Sequence, residues 1–162
     1  MKRNSGFTII EMLIVVTILA MLAGVLVPVL EDAGASARDA RRAADLKAVQ
    51  SALEAYKREN GTYPSTDNGW LTDAPAGNPP ADPYGPNGYI PGLVPNYMQT
   101  LPKDPDSNYP NADAGYYYRS DGTDYKFMAF KTPESYPTGN PFYDPTNPNQ
   151  AWQISSPGGY NW

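Results

Sequence analysis

The chain has 162 residues, a formal net charge of −5, and neither cysteine nor histidine. These absences exclude disulfide bonds and remove the two side chains that most often serve as nucleophile, general base or transition-metal ligand. The last 102 residues carry four Lys/Arg against ten Asp/Glu, so no nucleic-acid partner is expected, because phosphate backbones are held mainly by basic side chains.

The first predicted element is a long apolar helix. Phe7 opens a run of 24 residues to Leu30 that contains a single charge, Glu11. A helix of that length can cross a bilayer core of about 30 Å. Lys2 and Arg3 precede the run, so the positive-inside rule keeps the first residues in the cytoplasm and places the rest of the chain outside.

The residues at the start of this run form a specific pattern. Gly6-Phe7-Thr8-Ile9-Ile10-Glu11, between a basic leader and an uninterrupted apolar stretch, resembles the processing site of type IV pilins and type II secretion pseudopilins. In that family a prepilin peptidase cuts after the glycine and methylates the exposed phenylalanine. The resemblance therefore implies a leader at residues 1–6, cleavage between Gly6 and Phe7, N-methylation of Phe7, and Glu11 as the fifth mature residue.

Two other interpretations of the N-terminus stay open. An ordinary secretory signal peptide has an apolar region of about 7–15 residues with a small-residue cleavage site after it. Here the run is longer and the glycine precedes it, although Ala-Gly-Ala at 33–35 imitates such a site. The second possibility is an uncleaved single-pass anchor.

Glu11 is the strongest candidate for a functional side chain. A carboxylate within hydrocarbon costs about 2.5–3.5 kcal/mol on insertion scales, so a partner is expected. The amine that cleavage frees at Phe7 of a neighbouring subunit would neutralise Glu11 within the membrane and would specify axial register. The alternative is an intrahelical contact with the chain's own Phe7 amine, and the two arrangements are compatible.

Gly24 and Pro28 are candidate assembly positions within the apolar helix. Pro28 lacks an amide hydrogen and its ring crowds the carbonyl of Gly24, while glycine weakens a helix by about 1 kcal/mol relative to alanine. A mild kink is one interpretation. Local unwinding when subunits pack, as the resemblance implies, is the other. Ala20 and Gly24 also have the spacing that allows close helix approach.

Helical periodicity continues through residues 31–60, which we interpret as the soluble half of one helix. A narrow apolar stripe suited to a small sheet recurs at helical spacing: Leu46, Val49, Leu53 and Tyr56. Opposite charges three or four apart are expected to support the exposed face: Asp39 with Arg42, Arg41 with Asp45, and Glu54 with Arg58. Asn60-Gly61 supplies the stop, so residues 7–59 would form a helix of about 80 Å.

Composition changes after Gly61, where seventeen of the eighteen prolines and twelve of the thirteen tyrosines lie. Residues 61–114 show turn signals and little periodicity. They also contain too many large apolar side chains for a solvated linker. The pattern predicts an ordered, irregular loop over the helix and the sheet, with a short helical turn at Pro95–Leu101.

Residues 115–162 are predicted to form an antiparallel sheet and a C-terminal loop. Tyr116–Arg119 and Tyr125–Phe130 flank an Asp-Gly turn, which predicts a hairpin, and a third strand is predicted at Trp152–Ser155. Alternate residues of the hairpin would pack on the helix stripe. The fold class is therefore α+β, with a long N-terminal helix packed on a three-stranded antiparallel sheet.

Further segments extend the resemblance beyond the N-terminus. Asn-Gly-Thr-Tyr-Pro at 60–64, Leu-Pro-Lys-Asp-Pro at 101–105 and the Ser-Asp-Gly turn at 120–122 are similar to segments that recur in major pseudopilins. The family's pilus-forming members often carry a C-terminal disulfide. Its absence here favours pseudopilins or other disulfide-free pilins.

Asp121, Asp124 and Asp144 are candidate metal ligands. Calcium takes carboxylate and carbonyl oxygens from loops, and the resemblance implies such a site in a C-terminal loop. The sequence departs from that pattern, because residues 131–150 are rich in Pro and Asn and contain only Glu134 and Asp144 as acidic residues. The alternative for Asp121 and Asp124 is turn formation, in which case no cofactor is bound.

No arrangement of nucleophile, base and oxyanion donor emerges, so an enzyme is not expected. The sequence predicts a structural subunit that polymerises after processing, most similar to the major-type pseudopilin of a type II secretion system. The alternative is a type IV pilin for adhesion or motility, with its tyrosines and tryptophans forming a surface-binding patch. The implied partners are prepilin peptidase, further copies of the chain, minor pilins or pseudopilins and an inner-membrane assembly platform. The implied location is the inner membrane, with the C-terminal domain in the periplasm or on a filament.

Overall fold

The computed structural model describes residues 7–106 and 111–162. Its first element is helix α1, Ile9–Asn60. The helix ends where the sequence predicts, because Gly61 adopts a positive φ of 78° and donates its amide to the Lys57 carbonyl at 2.8 Å. This left-handed conformation is one that glycine adopts at little cost. The chain divides into two compact units, the first ending at Ala37 and the second comprising Arg38–Trp162.

The sheet has four antiparallel strands rather than the three that we predicted. They are β1 (Leu71–Thr72), β2 (Gly115–Ser120), β3 (Tyr125–Phe130) and β4 (Ala151–Ser155), in the spatial order β1-β2-β3-β4. The additional strand, β1, pairs Leu71 with Tyr118 and Thr72 with Tyr117. Two residues carry no alternation that a sequence pattern could detect, so β1 depends on the neighbouring strand.

The core of the second unit lies between the helix stripe, one face of the sheet and the loop. The predicted stripe is confirmed: Leu46, Val49 and Leu53 are fully buried and Tyr56 packs against them. The hairpin also presents the predicted residues to this core: Tyr116, Tyr118, Tyr125, Phe127 and Ala129.

The irregular segment between α1 and β2 is ordered where the structure describes it. It contributes the buried side chains Tyr63, Tyr89, Ile90, Leu93, Val94 and Leu101. A short 3₁₀ helix forms at Pro75–Gly77. Residues 95–100 form turns and bends rather than the helical turn that we predicted.

Candidate functional site

The candidate assembly site begins at the processing motif. Gly6, with Lys2 and Arg3, lies outside the described residues. Phe7 is the first residue described, and its side chain is 80% exposed. The residue that directly follows the predicted cleavage site therefore has an accessible aromatic side chain.

Glu11 closes a capping box at the start of α1. The Glu11 Oε2 atom accepts hydrogen bonds from the Thr8 amide at 2.7 Å and from the Thr8 hydroxyl at 2.8 Å. In return, the Glu11 amide donates to Thr8 Oγ1 at 3.3 Å. This is the reciprocal arrangement in which a Thr at the N-cap and a Glu three residues later satisfy free donors of the first helical turn.

Thr8 is the residue that our sequence interpretation missed. Thr-x-x-Glu before an apolar run is the signature of a capping box, and Thr8 and Glu11 have that spacing. In the single chain the Glu11 carboxylate is thus held by its own helix start. This contact involves neither of the two amines considered above, both of which exist only after cleavage.

The apolar part of α1 exposes its side chains in all directions. Among the large side chains of the segment that the structure describes, exposure ranges from 46% at Met12 to 87% at Ile9. This helix has the length and composition that crossing a membrane requires. Apolar surface of this extent must be covered by lipid or by other protein, because contiguous exposed patches on soluble monomers rarely exceed a few hundred Å².

Gly24 lies in an unobstructed part of this helix. A Cβ atom added there would meet nothing within 4 Å. Packing within the chain therefore does not require glycine at this position. Pro28 also lies within α1.

The three candidate metal ligands do not form one cluster. Asp121 Oδ1 accepts the amides of Thr123 and Asp124 at 2.8 Å each, which caps the hairpin turn and lowers the pKa of Asp121. Asp124 Oδ1 accepts the Ser156 hydroxyl at 2.6 Å. Within residues 7–106 and 111–162, no three acidic side chains are grouped closely enough to share a metal ion.

Asp144 is instead paired with a lysine. Its Oδ2 atom lies 2.9 Å from Lys126 Nζ, and both side chains are fully buried. Burial would raise the pKa of Asp144, but hydrogen bonds from Thr146 and Asn147, together with Lys126, lower it. An ammonium group therefore already neutralises the Asp144 carboxylate.

The predicted ion pairs on the exposed face of α1 are only partly confirmed, and Arg42 is the main exception. It bonds Asp39 as expected, at 2.9 Å, and the Arg41–Asp45 pair also forms, at 3.0 Å. However, the Arg42 side chain is fully buried rather than on the exposed face, and it binds Asp104 through two hydrogen bonds. Burial works against the charge on Arg42, yet these carboxylates raise its pKa. The third predicted pair, Glu54 with Arg58, is not among the ion pairs of the described residues. Glu54 accepts the Tyr63 hydroxyl.

Two family models match the chain. The prokaryotic N-terminal methylation motif matches residues 1–27, and the model described as type II secretion system (T2SS), protein G, matches residues 29–132. Residues 133–162, which include β4 and Asp144, follow the second match.

Curated relatives agree with these models. The protein named type II secretion system core protein G of Aeromonas hydrophila is 37% identical over 107 residues, covering 66% of this chain and 71% of that protein. The proteins of the same name from Pseudomonas aeruginosa and Vibrio cholerae are also 37% identical, over 109 and 110 residues; the alignments cover 66% and 67% of this chain and 71% and 69% of those proteins. No solved structure matches.

Proposed function

The chain belongs to the type II secretion system protein G family, and from that premise we propose that it polymerises through residues 7–30 into a pseudopilus. It is a structural subunit of the major pseudopilin type. The observation that carries the proposal is the apolar helix exposed on all sides directly after a methylation motif. A membrane covers this surface before assembly, and neighbouring subunits cover it afterwards.

Processing prepares the chain for this change of environment. Cleavage between Gly6 and Phe7 removes the basic leader, which holds the N-terminus at the cytoplasmic surface. It leaves an amine on Phe7, one residue before the capping box. We propose that this amine meets Glu11 of a neighbouring subunit, because each charge is costly in hydrocarbon without a partner. Thr8 then keeps the carboxylate oriented at the helix start.

The pair between Glu11 and the neighbouring subunit's Phe7 amine would mainly fix the axial register of the two helices. Dispersion and apolar contact along the helices supply attraction that depends little on axial position, whereas a buried charge pair forms only at one offset. A shift by one helical turn moves Glu11 by about 5.4 Å, which leaves both charges unpaired. Gly24 supports the same geometry by allowing close approach of a neighbouring helix.

The partners follow from the same reasoning. Prepilin peptidase and other copies of the chain are implied by the methylation motif and the family. We further propose contacts with minor pseudopilins and with an inner-membrane assembly platform, anchorage in the inner membrane before assembly, and a periplasmic location for residues 31–162. Membership in a family of structural subunits supports the absence of enzymatic activity.

The test is to produce the full chain in bacterial membranes with an active prepilin peptidase or with a catalytically inactive one. Intact-protein mass spectrometry should show loss of residues 1–6 and addition of one methyl group only with the active enzyme. Electron microscopy of the sheared fraction should then show filaments in the first case alone. An intact leader, or a soluble monomer trimmed beyond Leu30, contradicts the proposal.

A further inference from the structure

The sheet has a second face, opposite the core, that carries an aromatic groove. Tyr117 and Met128 are paired across β2 and β3, and they alternate with the residues that enter the core. The groove has a volume of about 330 Å³, within the range of small-molecule sites. We call these residues the aromatic groove: Trp70, Tyr117, Met128, Phe130, Asn147 and Trp162.

Three rings of the groove contact one another, and all of its rings are only partly covered. Tyr117 makes edge contacts with Trp70 at 6.4 Å and with Phe130 at 5.6 Å between ring centroids. All four aromatic residues are half-buried. Most other aromatic side chains of the sheet are fully buried, so this cluster is where the sheet presents flat apolar surface to the solvent.

Arg119 places a positive charge beside the groove, against two of its rings. Its guanidinium lies over Trp162 at 4.8 Å and over Trp70 at 5.7 Å from the ring centroids. Its Nε atom donates to Asn68 Oδ1 at 2.7 Å, which is a neutral acceptor. In the part of the chain that the structure describes, no carboxylate lies within ion-pair distance of Arg119.

Among the described residues, the absence of an ion-paired carboxylate distinguishes Arg119 from Lys126 in β3 and from Lys131 directly after it. Lys126 pairs with Asp144 at 2.9 Å and Lys131 with Asp113 at 2.6 Å. The last 102 residues contain ten acidic residues against four basic ones, so carboxylates are abundant there. Among the described residues, the half-buried Arg119 guanidinium stacks on two indoles and donates its hydrogen bond to an amide, while Asp121 interacts with it only beyond ion-pair distance. An Arg fork matches a carboxylate in a bidentate geometry.

From these features we infer that the aromatic groove binds a hexuronic acid residue of an acidic polysaccharide. The sugar ring would stack on an indole through its apolar face, and its carboxylate would bind Arg119. The Asn147 side-chain oxygen would accept a hydroxyl, since its nitrogen already donates to Asp144 and Thr146. A peptide strand is less suited to this position, because β2 and β3 are inner strands already paired on both sides. The inference is independent of polymerisation and is measured on the unassembled chain.

The test uses the full chain in detergent micelles and two matched ligands, trigalacturonic acid and its methyl ester. Intrinsic tryptophan fluorescence reports on Trp70 and Trp162, together with Trp152, which is buried in the core and cannot contact the ligand. We expect saturable quenching by the acid and at least about tenfold weaker binding of the ester, because a charge-assisted hydrogen bond is lost. Added salt should weaken binding of the acid alone.

Two variants with matched controls complete the experiment. Arg119→Gln should bind the acid only as weakly as the unmodified chain binds the ester. Trp70→Ala should weaken the binding of both ligands. Lys103→Gln removes an exposed cation, and Tyr160→Ala an exposed ring, outside the groove; both should bind like the unmodified chain. Equal affinity for acid and ester, or no binding of either, overturns the inference without touching the proposed function. Protection of the tryptophans from a soluble quencher only in filaments would likewise overturn it in favour of a second copy as occupant.

Discussion

Asp104 receives two hydrogen bonds from Arg42, both at 2.8 Å, with neither side chain exposed to solvent. The pair joins α1 to the irregular segment across 62 residues of sequence. Arg42 also contacts Asp39 and Glu134, so one guanidinium connects the helix, the irregular segment and the C-terminal loop. The second unit is therefore held together by buried ion pairs as well as by its apolar core.

Asp104→Ala should destabilise the second unit by at most about 3–5 kcal/mol, the cost of breaking a buried ion pair, because Asp39 and Glu134 remain beside the buried guanidinium. Denaturant unfolding of the full chain in micelles, followed by near-ultraviolet circular dichroism, measures this. Arg38→Gln is the control. Its pair with Glu134 is partly exposed, so removal should cost no more than about 1 kcal/mol. Equal losses in the two variants would contradict the role of the buried pair.

Glu11→Gln should be cleaved and methylated normally but should not form filaments, because the neighbour's amine loses its counter-charge. Thr8→Ala separates the two roles of the carboxylate: it removes the cap, costing about 0.5–2 kcal/mol of helix stability, while the charge remains. Mass spectrometry and electron microscopy provide the readouts. If Thr8→Ala abolished filaments as fully as Glu11→Gln, capping rather than charge pairing would explain the effect.

Gly24→Leu should leave the unassembled chain folded, because there is open space at that position. It should reduce filament yield by holding neighbouring helices apart. Helix content by far-ultraviolet circular dichroism and yield in the sheared fraction are the measurements. Val25→Leu enlarges an exposed neighbour and is the control. A normal yield from Gly24→Leu would exclude close approach at this point.

Asp73 should make the second unit more stable in mild acid. Burial raises its pKa from 3.8 to about 6, although the Tyr116 amide and the Tyr84 hydroxyl bind the carboxylate. The folded state therefore binds a proton more tightly than the unfolded state. The contribution of Asp73 to the free energy of unfolding therefore falls by up to about 3 kcal/mol as the pH rises from about 4 to 6. Above that range the contribution is constant.

Asp73→Asn should remove that part of the pH dependence and raise the free energy of unfolding at pH 7. Asn keeps an acceptor for the Tyr116 amide. Unfolding curves between about pH 4 and 8 test the expectation, with the exposed Asp67→Asn as control. A steeper fall toward alkaline pH in Asp73→Asn would show that the carboxylate is stabilised, not disfavoured, by folding.

Calcium should not change the melting temperature of the chain. Asp121 caps its own turn and Asp144 is neutralised by Lys126, so neither carboxylate is available to a hard cation. Thermal melts with excess calcium and with chelator should coincide. A rise that saturates with calcium would mean that Asp124 and loop carbonyl oxygens form a site which the uncomplexed chain does not display.

Local sequence patterns predicted much of the fold because they depend on residues close together in the chain. The Asn60-Gly61 stop, the stripe from Leu46 to Tyr56 and the Asp-Gly hairpin each follow from helical period, strand period or turn chemistry. Similarly, the N-terminal pattern indicated the family, and the Thr8–Glu11 capping box was readable there although our interpretation passed over it.

Contacts between distant segments could not be obtained in this way. The burial of Arg42 depends on Asp104, 62 residues away, and the pairing of Asp144 depends on a lysine in β3. β1 exists only because β2 lies beside it. The aromatic groove takes its residues from segments between Trp70 and Trp162. The sequence around a charged or aromatic residue does not identify its partner in the folded protein. The energy that positions such a side chain comes from burial and pairing after the chain has folded.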